Sequence, residues 1–146
     1  MGLICFDCGN PGGATVDSHC LAKPRSPVMS CTVSWNLQLT VRDGRLDSLK
    51  SLMQEMVEST KAEPGTLAYE WFLSEDGTIC HLYERYADAE AAMIHIGTFG
   101  AKFMGRFMEC TEQTALHVYG DPGDQVRGAM SGFGAVFLRS FGGFAR

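Results

Sequence analysis

The sequence predicts an α+β domain in the order strand, helix, strand, strand, helix, strand, and three observations carry that expectation. Val33, Trp35, Leu37, Leu39 and Val41 alternate with polar residues, the period of two that marks a half-buried strand. Leu46, Leu49, Met53, Met56 and Val57 recur at three- and four-residue intervals, the period of an amphipathic helix. Two aromatic-rich runs then flank Ser74-Glu75-Asp76-Gly77, a turn signal in which glycine takes positive φ at little cost.

The first strand is expected from about residue 31 to 41. Asp43 offers a cap for the first helix, and Pro64-Gly65 stops it. The hairpin strands are expected at about 66–73 and 78–86. Asp88 caps the next helix, where Ala89, Ala91, Ala92 and Met93 are good helix formers. Gly97 interrupts it, and Thr98 can cap a further helix that places Phe99, Phe103 and Phe107 on one face. A last strand over about 113–119 ends at Gly120-Asp121-Pro122-Gly123. This order is the ferredoxin-like βαββαβ arrangement, an antiparallel four-stranded sheet with helices on one face.

Helices on one face leave the other uncovered. With an even hairpin loop, Tyr69, Trp71, Leu73, Leu82 and Tyr86 share the helix side, while Glu70, Phe72, His81, Tyr83 and Arg85 share the other. The second set, beside Asn36 and Gln38, mixes aromatic and charged groups in the manner of a subunit interface, so a homodimer is expected. His81, Glu70 and Arg85 read either as a catalytic trio or as an interface salt-bridge cluster. His117, between Leu116 and Val118, reads as structural.

Three segments follow from composition. Residues 1–29 hold glycines and prolines without a repeating apolar pattern and read as a flexible extension, with Met29 as an alternative start. Residues 30–122 form the domain. Residues 123–146 combine Val126, Met130, Phe133 and Phe137 with many glycines, and pack either on their own domain or on a partner subunit.

The chain has 146 residues, 45% of them hydrophobic and 20% charged, which suits one globular domain with its own core. A net charge of -5 argues against nucleic acid or an anionic membrane as partner. No run reaches the roughly 20 apolar residues of a membrane span, and no secretory leader is legible, so a cytoplasmic protein is expected. Cys80 and Cys110, inside periodic segments, read as buried thiols. Cys5-Phe6-Asp7-Cys8 could contribute to a zinc site, but no second Cys-x-x-Cys exists and His19 and Cys20 are adjacent, so no metal is expected. Dinucleotide, phosphate-loop, nucleophile-elbow and His-Glu-x-x-His motifs are absent, which removes hydride transfer, nucleotide hydrolysis, serine hydrolysis and zinc proteolysis as leading ideas.

Glu63-Pro64-Gly65, Tyr69-Glu70, Tyr83-Glu84-Arg85-Tyr86 and His95, spread over residues 31 to about 120, resemble the antibiotic-biosynthesis monooxygenase family of dimeric α+β barrels. The resemblance implies oxygenation without metal, flavin or other cofactor. A phenol or quinol bound in an apolar chamber is deprotonated, and its electron-rich anion reduces dioxygen directly. The partners implied are thus a small aromatic molecule, dioxygen and a second copy of the chain.

Such a site needs dry walls, a proton acceptor and a donor near the developing peroxide. Trp35, Tyr69, Trp71, Phe99 and Phe103 are the candidate walls, against the simpler reading of an aromatic core, which is preferred for Trp35 and Phe107. His95 is the candidate for proton transfer because Ala91 and Ala92 leave space beside it and its ordinary pKa suits neutral pH. The competing reading makes it a helix-terminal histidine compensating carbonyls near Gly97. Tyr86, at a strand end where relatives place an aromatic on the cavity wall, could orient a substrate oxygen. Asn36 or Leu37 with Tyr86 and His95 departs from the Asn, Trp and His set of the haem-degrading members, so haem cleavage is not expected. The rival to a monooxygenase is a non-catalytic dimeric module that binds a hydrophobic small molecule.

Overall fold

Strand β1 (Val33–Val41) lies at the centre of the sheet, as its unbroken alternation demands: Val33, Trp35, Leu39 and Val41 are buried on the helix side. The structure, a computed structural model, describes residues 32–144. The Cys5–Cys8 knuckle, His19, Cys20, Cys31 and the expected extension over 1–29 lie outside the described residues. The remaining elements are α1 (Leu46–Lys61), β2 (Thr66–Leu73), β3 (Ile79–Tyr86), α2 (Ala89–Lys102), α3 (Met104–Cys110), β4 (Thr111–Tyr119), α4 (Gly123–Ser131) and β5 (Val136–Leu138).

The fold is ferredoxin-like, with an open five-stranded mixed sheet in the order β2-β3-β1-β4-β5. The expected four-stranded antiparallel sheet is corrected at one edge. Residues 123–138 form α4, whose Val126 and Met130 are buried, and β5, which pairs parallel to β4. Gly120 closes the crossover by donating its N–H to the Leu138 carbonyl at 2.8 Å.

The hairpin has the expected parity. Leu73 pairs with Cys80, Trp71 with Leu82 and Tyr69 with Glu84, so these six share the helix side. Asp76 organises the turn by accepting from the Ser74 and Thr78 hydroxyls and the Thr78 N–H.

Three local expectations are corrected. Asp43 does not cap α1, whose N-cap residue is Arg45. Gly97 does not break α2, which runs on to Lys102, because neighbouring turns supply enough backbone bonding to absorb the roughly 1 kcal/mol cost of a helical glycine. Thr98 caps nothing, since its hydroxyl donates back to the Ile94 carbonyl at 3.0 Å. Asp88 does cap α2, accepting from the Ala91 N–H at 2.9 Å.

The core divides in two. Under α2 and α4, Val33, Trp35, Tyr86, Ala92, Val118 and Val126 pack together, while under α1 and α3, Leu39, Leu52, Met56, Phe103 and Phe107 do so. Leu37 touches both clusters. A β-bulge at Gln38/Leu39 shifts the β1–β4 register by one, so that Ala115 faces Gln38 but Gln113 faces Leu39 and Thr111 faces Val41. Among the described residues no helix is long and apolar enough to cross a membrane.

Candidate functional site

Four elements converge on His95. The second helical turn after Asp88 carries it to the buried side of α2, where Ala91 and Ala92 are small enough to let the helix approach β1 and β3. On β3 the alternation that buries Leu82 and Tyr86 also buries Glu84. Glu63 arrives from the loop between α1 and β2. That loop is drawn against α2 by Gly65, whose φ of +85° suits glycine and whose missing Cβ would lie 2.6 Å from the Ala91 Cβ. The Ala87 N–H donates to the Gly65 carbonyl at 2.8 Å and holds the approach.

The result is a buried relay. His95 Nδ1 lies 2.8 Å from Glu63 Oε2, and His95 Nε2 lies 3.2 Å from Glu84 Oε2. The side chains of Glu63 and His95 are 7% exposed and that of Glu84 5%. The Tyr86 hydroxyl donates a short hydrogen bond to the same Glu84 Oε2. The rings of Tyr69 and Tyr86 each stand 5.3 Å from the imidazole, and Trp35 stacks on Tyr86 at 4.7 Å.

Burial disfavours the imidazolium, but Glu84, through its hydrogen bond and its charge, and then Glu63 outweigh it, so the His95 pKa is raised above its ordinary 6.5. Burial first, and the Glu84 charge next, raise the pKa values of Tyr69 and Tyr86 well above the ordinary phenol, so both remain hydroxyls. The shift favours the imidazolium form of His95, whose two ring nitrogens are held between the carboxyl groups of Glu63 and Glu84. This overturns the helix-terminal reading, because α2 continues past His95 and both ring nitrogens serve side chains.

A cavity of about 450 Å³ opens beside the relay, at the seam between the two core clusters. Trp35, Tyr69, His95 and Phe99 line it, as do Glu84, Leu37, Phe107 and Leu116. Tyr86 does not line it and reaches it only through Glu84, being fully buried itself. Trp71 and Phe103, expected as walls, are not in the lining. Trp71 packs edge-on to Phe107 and borders a separate hollow of about 190 Å³ with Leu46 and Met53. Phe103 is buried in the cluster under α1 and α3. The reason is position along the strand and helix: both residues lie on the correct face, but level with α1 rather than with His95.

Sequence reasoning missed Glu63 and Glu84 as site residues. Glu84 carried a signal, sharing the parity of Leu82 and Tyr86. Glu63, in a loop without periodicity, carried only its place in the Glu63-Pro64-Gly65 motif. It also missed Met130, Gly132 and Phe133, which close one side of the cavity from the C-terminal segment, and Gln113, brought to the lining at the bulge.

On the opposite sheet face, His81 lies across from Phe72 and Arg85 across from Ala68, and among the described residues no ion pair joins Glu70, His81 and Arg85. His117 is on that face too, opposite Asn36. Because His95 stands between the two carboxylates, the three do not converge on a point, and among the described residues no group of three His, Cys, Asp or Glu is placed to hold a metal ion.

A family model for antibiotic biosynthesis monooxygenases matches residues 32–99. Among solved structures, the chain is similar to MupZ from Pseudomonas fluorescens, at 23% identity over 79% of this chain and 94% of that one, with a TM-score of 0.71. It is also similar to Rv0793 from Mycobacterium tuberculosis, at 24% identity over 64% and 97%, with a TM-score of 0.51. A candidate antibiotic biosynthesis monooxygenase from Nitrosomonas europaea shares 18% identity over 63% and 91%, with a TM-score of 0.56. At these identities the three structures bear on the fold. No curated protein matches the sequence.

Proposed function

We propose, from the match of residues 32–99 to the antibiotic biosynthesis monooxygenase model, that this chain is a cofactor-independent monooxygenase acting on a phenolic or quinol-type aromatic. The family match supports the coarser function, monooxygenase-like chemistry or small-molecule binding. The observation that carries the finer reading is the buried carboxylate–imidazole relay on the wall of an apolar cavity.

In this reading the substrate ring lies against Trp35, Tyr69 and Phe99 with its hydroxyl at the Glu84–His95 edge. Glu84 Oε2 is occupied by Tyr86 and His95, and Oε1 receives no hydrogen bond among the described residues. Glu84, rather than His95 with both ring nitrogens engaged, is therefore the group that accepts the phenolic proton, and the adjacent imidazole steadies the charge. The anion gives its electrons to dioxygen and a peroxide forms on a ring carbon that bore hydrogen. The relay then returns a proton to the distal oxygen. The O–O bond breaks, the carbon loses its hydrogen as a proton, and a carbonyl and water result: phenol and dioxygen become quinone and water, with the substrate supplying all the electrons.

One observation favours the rival, a non-catalytic binding module: both His95 nitrogens are already engaged, leaving the imidazole no free position. Oxygen uptake with a panel of hydroxylated aromatics separates the two. The monooxygenase reading expects consumption above buffer, reduced about 10²-fold or more in Glu84→Gln. No consumption with any member, together with ligand binding unchanged in that variant, selects the binding module. The same proposal includes a cytoplasmic homodimer formed through the uncovered sheet face, where Phe72 and Ile79 are more than half exposed. Sedimentation at monomer mass at micromolar protein would defeat that part.

A further inference from the structure

We propose that the cavity takes an elongated amphipathic acid, with its hydroxyl at Glu84 and His95 and a carboxylate or similar anionic end at Arg42 in the cavity mouth. The inference rests on the reading above for the placement of the hydroxyl, but it concerns binding and needs no oxygen chemistry.

The cavity's lining follows β1 to its end. It includes Trp35 and Leu37 on β1 and then Arg42, just past the strand end. Trp35 pairs with Glu84 in register, so the relay lies beside Trp35, and Arg42 is seven residues further along the chain. At ~30 Å³ for each water-sized group, the 450 Å³ holds about 15 non-hydrogen atoms, roughly twice a single-ring phenol.

Its two ends differ in charge. At the inner end two carboxyl groups, Glu63 and Glu84, stand against the single imidazole of His95, an excess of acidic groups that disfavours an anion there. At the outer end the lining holds Glu112 together with its one Lys or Arg, Arg42. Its backbone N–H donates to the Cys110 carbonyl at 2.9 Å, and its Nε donates to the Met108 and Thr111 carbonyls at 3.1 Å each. Those contacts anchor the side chain at the end of α3 through Nε alone. Of the remaining nitrogens, Nη1 lies 4.0 Å from Glu112 Oε2, a half-exposed pair that is weak competition for a ligand. A planar guanidinium fixed in this way presents Nη2, and Nη1 once it exchanges Glu112, to a ligand carboxylate. The field along the cavity thus orients a substrate head to tail.

The test uses a biphenyl bearing a hydroxyl at one end and a carboxylic acid at the other, with its primary amide as the uncharged match, titrated calorimetrically into the full chain at pH 7.5. The acid is expected to bind about tenfold tighter than the amide, given a partly exposed charge-assisted contact. Arg42→Gln should erase that ratio while leaving the amide within about twofold. Should Arg42→Gln fail to fold, Glu112→Gln decides: acid affinity rises and amide affinity does not. Equal binding of acid and amide by the unaltered protein, a preference surviving Arg42→Gln, or binding of neither compound overturns the proposal. Oxygen uptake measured with the same two compounds reads the monooxygenase proposal separately, so an acid preference without uptake sinks only the latter.

Discussion

Replacing Gly65 by alanine tests how the relay is assembled. At φ +85° an L-residue pays about 1–2 kcal/mol for the left-handed conformation. The new methyl would also lie 2.6 Å from the Ala91 Cβ, a backbone-anchored neighbour that cannot rotate away, and relieving such overpacking costs ~1–3 kcal/mol more. The total is about 2–5 kcal/mol, and at roughly 4 °C for each kcal/mol in a domain of this size Tm should fall by about 8–20 °C. Gly44 supplies the control: its φ is +71°, but an added Cβ would meet nothing within 4 Å. Gly44→Ala should therefore show the conformational cost alone, about 1–2 kcal/mol. Urea unfolding of both variants measures the difference. If Gly65→Ala costs no more than Gly44→Ala, the close approach of the Glu63 loop to α2 is not what the geometry implies, and Glu63 has lost its stated means of reaching His95.

Gly97→Ala should stabilise the protein by about 0.5–1 kcal/mol in thermal or urea unfolding, because Gly97 lies inside α2 with open space where the methyl would go. Glu63→Gln removes one of the two charges that hold the His95 proton. Since the folded His95 pKa lies above 6.5, the stabilisation from its carboxylate partners is fully present below about that pH and is lost as pH rises through the raised value. The variant should thus be more destabilised at pH 6 than at pH 9, by urea unfolding at both. A difference of the opposite sign would mean that the imidazole is buried neutral. Asp76, held low at about 2 by the hydroxyls of Ser74 and Thr78, stabilises its turn above about pH 3.8 and loses that effect as pH falls toward 2, which backbone amide shifts of Thr78 should follow.

Much of the fold was legible because strand alternation and helix period survive in single residues. Val33 through Val41 gave β1, and the Asp76-Gly77 turn with its even loop set which of the hairpin aromatics share the helix side. The segment after Gly123 was not assigned elements because its glycines blur any period, although α4 buries Val126 and Met130 four residues apart. The bulge opposite Gln38 was invisible because register depends on two strands at once. At the site, Trp35, Tyr69, His95 and Phe99 stand where an apolar wall was expected. Trp71 and Phe103 share their faces but sit too far along their elements, a distinction that periodicity does not make. The carboxyl partners of His95 were not legible for a physical reason: only the fold brings Glu63, 32 positions away in sequence, onto Nδ1.

The central claim is that His95 is held as an imidazolium between Glu63 and Glu84, and nitrogen-15 NMR of the labelled imidazole reads it directly. Through neutral pH both ring nitrogens should show the shifts of protonated N–H groups, with titration displaced above 6.5 and moved down in Glu84→Gln. A neutral ring at pH 7 with one bare nitrogen, titrating at or below 6.5, would contradict the account.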